Sequence, residues 1–319
     1  MTAVIGGPAV LITGIGEILW DLYPGGKYLG GAIANCIHHV RQLGHEGIVV
    51  SRLGDDVPGK EIVNVLEDRK YTTDFLQIDP VHETGWVKIT LSDKGEPSFI
   101  CNETAAYDYL EWDSRFAEII PLTDAILFGT FAQRTAQSAE VTQRFLRACT
   151  GSLKVFDLNI RAWNETAHAA IRTCLILADV VKFNDKEYER LRELYPVLPA
   201  DPVQGLAAVV KLGDLRLACF TAGEWGCLIS DGNKTVYTPG FSVDAVDMTG
   251  AGDAFVAALT IDYLQGRPIE HLGFYANLVS ALTVTMLGAT PGYTEDMLRR
   301  FEKRHSHRSA WKEWEGLIA

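Results

Sequence analysis

Residues 247–255 read DMTGAGDAF: two glycines flank Ala251, an acid follows at Asp253, and an apolar run begins. Glycine lets a backbone turn sharply and lets an oxyanion approach with no Cβ in the way. If the apolar run is a helix, the amides of Gly250, Ala251 and Gly252 belong to its first turn. Such amides lack intrahelical partners and sit at the positive end of the dipole, so the segment reads as a phosphate trap. Asp253 has two readings of equal weight on local sequence. It is either a first-turn acid favoured by the dipole, or a general base that takes a proton from a hydroxyl beside the trapped phosphoryl group.

Other glycine and histidine patterns carry less. GIGEIL (14–19) lacks the third glycine of a dinucleotide fingerprint. GDDVPGKE (54–61) nearly matches a P-loop, but Glu61 replaces the metal-binding hydroxyl and Asp55 and Asp56 would face the phosphates, so it reads as a turn and helix start. His38-His39 and His305-x-His307 have no carboxylates or thiols at ligand spacing and read as packing or surface histidines. The six cysteines are scattered without a CxxC, as expected of reduced core thiols in a cytoplasmic protein. The net charge of -12 argues against nucleic acid or an anionic membrane as partner. No apolar run approaches a membrane span, and the N-terminus has no basic region ahead of its apolar residues, so no signal peptide is read.

The elements that must position these residues alternate. Buried strands are expected at 10–16, 47–53, 124–129, 153–158 and 179–184, with amphipathic helices at 32–44 and 58–69, a rhythm that implies βαβ units and a parallel sheet. Residues 84–103 alternate with period two around SDKGEP and read as a hairpin flap outside that sheet. Short antiparallel strands are expected over 216–238, and helix from Gly250 onward. The tail RRFEKRHSHRSAWKEWEGLIA reads as a surface helix, with a membrane or partner helix as the alternative.

DMTGAGDAF resembles the C-terminal signature of the ribokinase-like (PfkB) sugar kinases, and the likeness runs along the whole chain in family order. It implies an anion hole at Gly250, Ala251 and Gly252, with Asp253 as catalytic base. LGGAIANCIHHVRQLG (29–44) followed by SRLGDD is similar to the N-terminal signature, whose glycine and asparagine, here Gly31 and Asn35, touch sugar hydroxyls. Bonding within its own helix is the other reading of Asn35. GEILWD (16–21) resembles the fructokinase opening, whose aspartate, Asp21, holds substrate hydroxyls; a carboxylate accepts two hydrogen bonds from a diol.

FDLNIR (156–161) resembles a segment of fructokinases and 2-keto-3-deoxygluconate kinases, with Asp157, Asn159 and Arg161 at a strand's carboxyl end. For Arg161, contact with sugar or phosphate and a structural ion pair stand as near equals. NDKE (184–187) matches the family's N-x-x-E, implying that Asn184 lies by the ATP phosphates and that Glu187 orders Mg²⁺, partly through water. The same residues spell a capping box, and the two roles are compatible. TAGEWG (221–226) is similar to the nucleotide loop, placing Thr221, Gly223 and Gly226 at ATP; Asn277 matches an asparagine near adenine. Asp247 and Thr249 fall where many members bind a monovalent cation such as K⁺.

The expected fold is therefore α/β: a ribokinase-like three-layer α/β/α sandwich with a mostly parallel central sheet. A single kinase domain spans 1–319, with a small β-strand lid formed by roughly 17–30 and 84–103. The expected activity is transfer of the ATP γ-phosphate to a primary hydroxyl of a sugar, fructose to fructose 6-phosphate. Other acceptors are 2-keto-3-deoxygluconate, ribose or a nucleoside, and Trp86, Phe99 and Cys101 of the flap are expected to help choose among them. A non-catalytic sugar or nucleotide sensor and a nicotinamide dehydrogenase are the rivals from other classes. A homodimer through the exposed lid edge is a further expectation.

Overall fold

The computed structural model describes residues 8–91 and 97–318, leaving aside the side chains of 89–91 and 97–99. The flap turn at SDKGEP, save its final proline, and the Phe99 side chain thus lie outside the described residues. The chain opens with β1 (Leu11–Ile15), β2 (Leu19–Tyr23), β3 (Gly26–Gly30), α1 (Ala32–Gln42), β4 (Glu46–Gly54), α2 (Val57–Asp68) and β5 (Leu76–Asp79). β6 (Gly85–Leu91), β7 (Pro97–Cys101) and the single turn α3 (Phe116–Ile119) follow. The strand–helix rhythm then continues through β8 (Ala125–Gly129), α4 (Ala136–Ala148), β9 (Leu153–Asp157), α5 (Glu165–Leu177), β10 (Val180–Asn184), α6 (Asp185–Leu194), α7 (Pro202–Gly213) and β11 (Leu217–Thr221). Last come β12 (Cys227–Ser230), β13 (Thr235–Thr238), β14 (Gly240–Phe241), α8 (Ala251–Leu264), α9 (Ile269–Val284), α10 (Glu295–Arg304) and β15 (Arg308–Ser309).

Nine strands form the main sheet in the order β13-β12-β11-β10-β9-β8-β1-β4-β5. The seven from β11 to β5 are parallel, and β12 and β13 add an antiparallel edge. Side chains alternate across the sheet. On β8, Ala125 and Leu127 join the core under α1, α2, α8 and α9, while Ile126 and Phe128 join the core under α4, α5 and α7. Continuous apolar strands are what a parallel sheet covered on both faces demands. The alternation decides the site: Val155 of β9 and Val180 of β10 face the α8 layer, so Asp157 and Lys182, two residues further on, face it as well.

A second, four-stranded sheet has the order β3-β2-β6-β7. β2 pairs antiparallel with β3 and parallel with β6, which joins segments 17–30 and 84–103 into one unit. The near-P-loop at 54–61 is a helix cap: Asp56 accepts the Gly59 amide at 2.8 Å to start α2. The tail departs from the surface helix expected of it. α10 ends at Arg304, β15 pairs with β14, and a 3₁₀ turn buries Trp314 against Phe220 and Tyr237. A two-residue strand is too short for periodicity to reveal, and the tryptophan is core rather than a membrane or partner face. Among the described residues no helix is long and apolar enough to cross a membrane. All six cysteines are free, and five are buried.

Candidate active site

α8 begins at Gly250, whose φ of 81° is left-handed and which offers no side-chain cap. A Cβ there would lie 2.7–2.9 Å from atoms of Ala289, so packing and dihedral both require glycine. The Ala251 amide leans back to the Met248 carbonyl at 3.3 Å. It is therefore less free than the sequence implied. The amides of Gly250, Gly252 and Asp253 have no acceptor among the described residues. The Gly252 position is kept clear for the Lys182 ammonium, which would be 3.0 Å from any Cβ placed there.

Asp253 is half-buried, and Asn35 of α1 donates to its Oδ2 at 2.8 Å. The helix-internal reading of Asn35 is thus set aside; its amide spans to the other half of the chain. Asn35 Oδ1 is buried without a partner. Withdrawal from solvent pushes the Asp253 carboxyl up, against the pull of Asn35, Lys182 and Arg161. α1 also starts at a glycine: Gly31 has φ 99°, and a Cβ would fall 2.6 Å from the Glu17 carbonyl oxygen.

Asp21 projects from β2 over Gly30, where even a methyl group would collide with its carboxylate. It is buried and has no hydrogen-bond partner among the described residues. Burial pushes it up to about 7, with Asp253 adding to the shift and Arg161 opposing it. Glu17, not singled out by sequence, is also buried; Oε1 accepts the Ala32 amide at 3.1 Å and Oε2 has no partner. Burial pushes it up to about 7 too, with Asp253 nearby.

Beneath α8, Lys182 and Asp157 form a buried ion pair at 3.2 Å. Burial alone would lower the Lys182 ammonium, but Asp157, Glu187 and Asp253 outweigh it and hold the charge. Sequence reading missed Lys182; its signal was one cation inside the apolar run VVKF. Arg161 is exposed and forms no ion pair with the described residues, although Glu17, Asp21, Asp157 and Asp253 all feel its field. Asn159 takes a left-handed φ of 40° in the turn that delivers it.

The nucleotide candidates line the next strand ends. Asn184 and Thr221 are register partners at the ends of β10 and β11. Asn184 and Glu187 make the full capping box, and the second Glu187 oxygen accepts the Ile160 amide at 3.1 Å. Both Glu187 oxygens are thus engaged, and no group of three metal-ligating side chains occurs among the described residues. Gly223 is left-handed and open to solvent, whereas Gly226 is left-handed because the Thr238 carbonyl packs against it. Asn277 donates to that carbonyl at 3.1 Å and so braces the strand end against which the 221–226 loop packs. Asp247 accepts the amides of Thr249 and Gly288, and the Thr249 hydroxyl meets Tyr23 of β2 at 3.0 Å. Each Asp247 oxygen thus accepts one amide and keeps a further lone pair.

The sheet edge thus gathers open amides, a base candidate, a buried ammonium and an unpartnered carboxylate. A profile of the pfkB family carbohydrate kinases matches residues 25–296. A putative sugar kinase of Pyrococcus horikoshii is 28% identical over 312 residues, 92% of this chain and 96% of that one. Fructokinase-2 of Oryza sativa subsp. japonica is 29% identical over 308 residues, covering 88% and 90%. The crystal structure of an uncharacterized sugar kinase from Pyrococcus horikoshii in complex with ATP matches at a TM-score of 0.77 and 26% identity, over 91% and 99% of the chains. A putative ribokinase II from E. coli reaches a TM-score of 0.82 at 24% identity over 93% and 100%, a likeness of fold.

Proposed function

Because the chain belongs to the pfkB family of carbohydrate kinases, and so is a phosphotransferase acting on a sugar hydroxyl, we propose that ATP is its co-substrate and a primary hydroxyl of fructose its acceptor, giving fructose 6-phosphate. The observation that carries this reading is the uncapped start of α8, with Asp253 at its mouth. The ATP-bound relative and the fructokinase relatives support the choice of substrates.

In this reading Asp21 and Asn35 hold the sugar, with Gly31 giving it room and Arg161 closing over sugar or phosphate. Asp253 takes the proton of the hydroxyl, and its raised pKa makes it a stronger base than an ordinary aspartate. The oxygen attacks the γ-phosphorus in line, a new O–P bond forms, and the bond to ADP breaks. The amides of Gly252 and Asp253 and the Lys182 charge spread the negative charge that passes through the turn. Glu187, both of whose oxygens already accept amides, would hold Mg²⁺ through water, and the ion would supply charge neutralisation on the ATP phosphates. Thr221, Gly223 and Asn184 flank the nucleotide. The small sheet acts as a lid that excludes water, and Tyr23 ties it to the phosphate turn. The exposed β7 edge is where a second copy would pair, which gel filtration reads directly.

A sugar panel in a coupled ADP-release assay tests the proposal. Fructose is expected to give the highest kcat/KM. A maximum on 2-keto-3-deoxygluconate, ribose or a nucleoside replaces the acceptor, and ligand-induced stabilisation with no ADP from any sugar means a sensor.

A further inference from the structure

α1 carries Asn35, His38 and His39 at i, i+3 and i+4, which is one helix face. Asn35 reaches Asp253. One turn later both histidines are buried, and both grip the segment 286–293 that follows α9. His39 Nε2 lies 3.1 Å from the Ala289 carbonyl, and its Nδ1 lies 2.9 Å from the Tyr293 hydroxyl. His38 Nε2 lies 2.9 Å from the Pro291 carbonyl; its Nδ1 faces the Tyr71 hydroxyl at 2.9 Å and Arg69 at 3.4 Å. A carbonyl only accepts, so each Nε2 is the donor, and Arg69, which only donates, makes His38 Nδ1 an acceptor in a neutral ring. Burial agrees, pushing His38 down to about 4 and His39 to about 3.

The gripped segment is the wall behind the phosphate turn. Ala289 packs so closely on Gly250 that no side chain fits between them. The neighbouring Gly288 amide donates to Asp247 Oδ2 at 3.0 Å, while Asp247 Oδ1 accepts the Thr249 amide at 2.9 Å. We propose that His39, supported by His38, is a positioning residue for phosphoryl transfer: it fixes the Ala289 carbonyl, which holds the left-handed Gly250 turn and so aims the Gly252 and Asp253 amides. One face of α1 would then set both the base, through Asn35, and the anion hole, through the histidines. This rests on the α8 assignment made above.

The test is steady-state kinetics and melting of the full chain. His39→Leu is expected to lower kcat at least roughly tenfold with the sugar KM within about twofold, since sub-ångström misplacement acts on the transition state more than on binding. His39→Gln, whose amide can still donate to Ala289, recovers most of kcat. Tyr293→Phe removes only the hydroxyl that orients the ring; should the leucine variant fail to fold, a smaller kcat loss in this variant, again with KM unchanged, supports the proposal. It is overturned if the histidine variants melt lower yet keep wild-type kcat, if glutamine is as impaired as leucine, or if Tyr293→Phe keeps full turnover. Asp253→Asn, run alongside, separates the two claims. Near-normal turnover there removes the α8 assignment itself, whereas an inactive Asp253→Asn beside a fully active His39→Leu removes only the histidine strut.

Discussion

α6 and α8 both start at the carboxyl edge of the sheet, and their first turns are finished in opposite ways. In α6, Asn184 caps the Glu187 amide and Glu187 caps back, so side chains finish that end and only the exposed Asp185 and Lys186 amides face solvent. In α8, a left-handed glycine stands where a cap would be, no side chain caps the end, and the Gly250, Gly252 and Asp253 amides are left open. Carboxylates divide the same way: Asp157 is paired with Lys182, while Asp21 is buried with no partner. At the start of α8 and at Asp21 a phosphoryl group and a sugar would complete the bonding, whereas at α6 side chains of the chain itself already make the cap.

Three substitutions would break or sharpen this contrast. The largest effect is expected at the open end. Asp253→Asn should lower kcat at least roughly a hundredfold, the scale of losing one charge-stabilising or proton-transfer group, while sugar-induced thermal stabilisation persists. Near-normal turnover would erase the distinction between the two helices.

Asp21→Asn should raise the sugar KM by roughly tenfold or more, since a charged acceptor contributes about 1.5–3 kcal/mol to a hydrogen bond. It should also stabilise the fold, and the sign follows from linkage. The carboxyl is raised from 3.8 to about 7, so between those values the folded chain holds a proton that the unfolded chain releases. Stability is therefore lost as pH rises through this window, and the penalty is complete above it. The asparagine variant should melt higher than wild type at pH 8, with the gap closing as pH falls through the window. A variant that melts lower at pH 8 would place a partner on Asp21.

The smallest effect is expected at the closed end. Asn184→Ala should cost about 1 kcal/mol of unfolding free energy, the usual worth of an N-cap, as read by urea denaturation. Because Asn184 also flanks the nucleotide in the proposed reading, the ATP KM should rise while turnover falls far less than in Asp253→Asn; an equal loss of turnover would put α6 in the transfer step itself.

Much of this was legible in the sequence, for stated reasons. The parallel strands showed as continuous apolar runs, and the α8 turn as glycines that no other residue could replace. The capping box at 184–187 was legible too. What escaped were groups whose meaning depends on distant partners. Lys182 looked like a stray cation in a strand until alternation turned it toward α8 and Asp157. Asn35 sat within reach of its own helix, and only packing brought it to Asp253, 218 residues away. His38 and His39 carried no ligand spacing because their partners are carbonyls and tyrosines of the segment after α9. The tail misled because tryptophans among basic residues look amphipathic whether they meet solvent or core.

The most direct test is a structure of the protein with the acceptor sugar, ADP, Mg²⁺ and aluminium fluoride as a planar mimic of the phosphoryl group in flight. The account predicts fluorides roughly 2.7–3.1 Å from the Gly252 and Asp253 amides, with the Asp253 carboxylate on the acceptor hydroxyl. A mimic seated at the start of α6, or an Asp253 turned away from that hydroxyl, would contradict it.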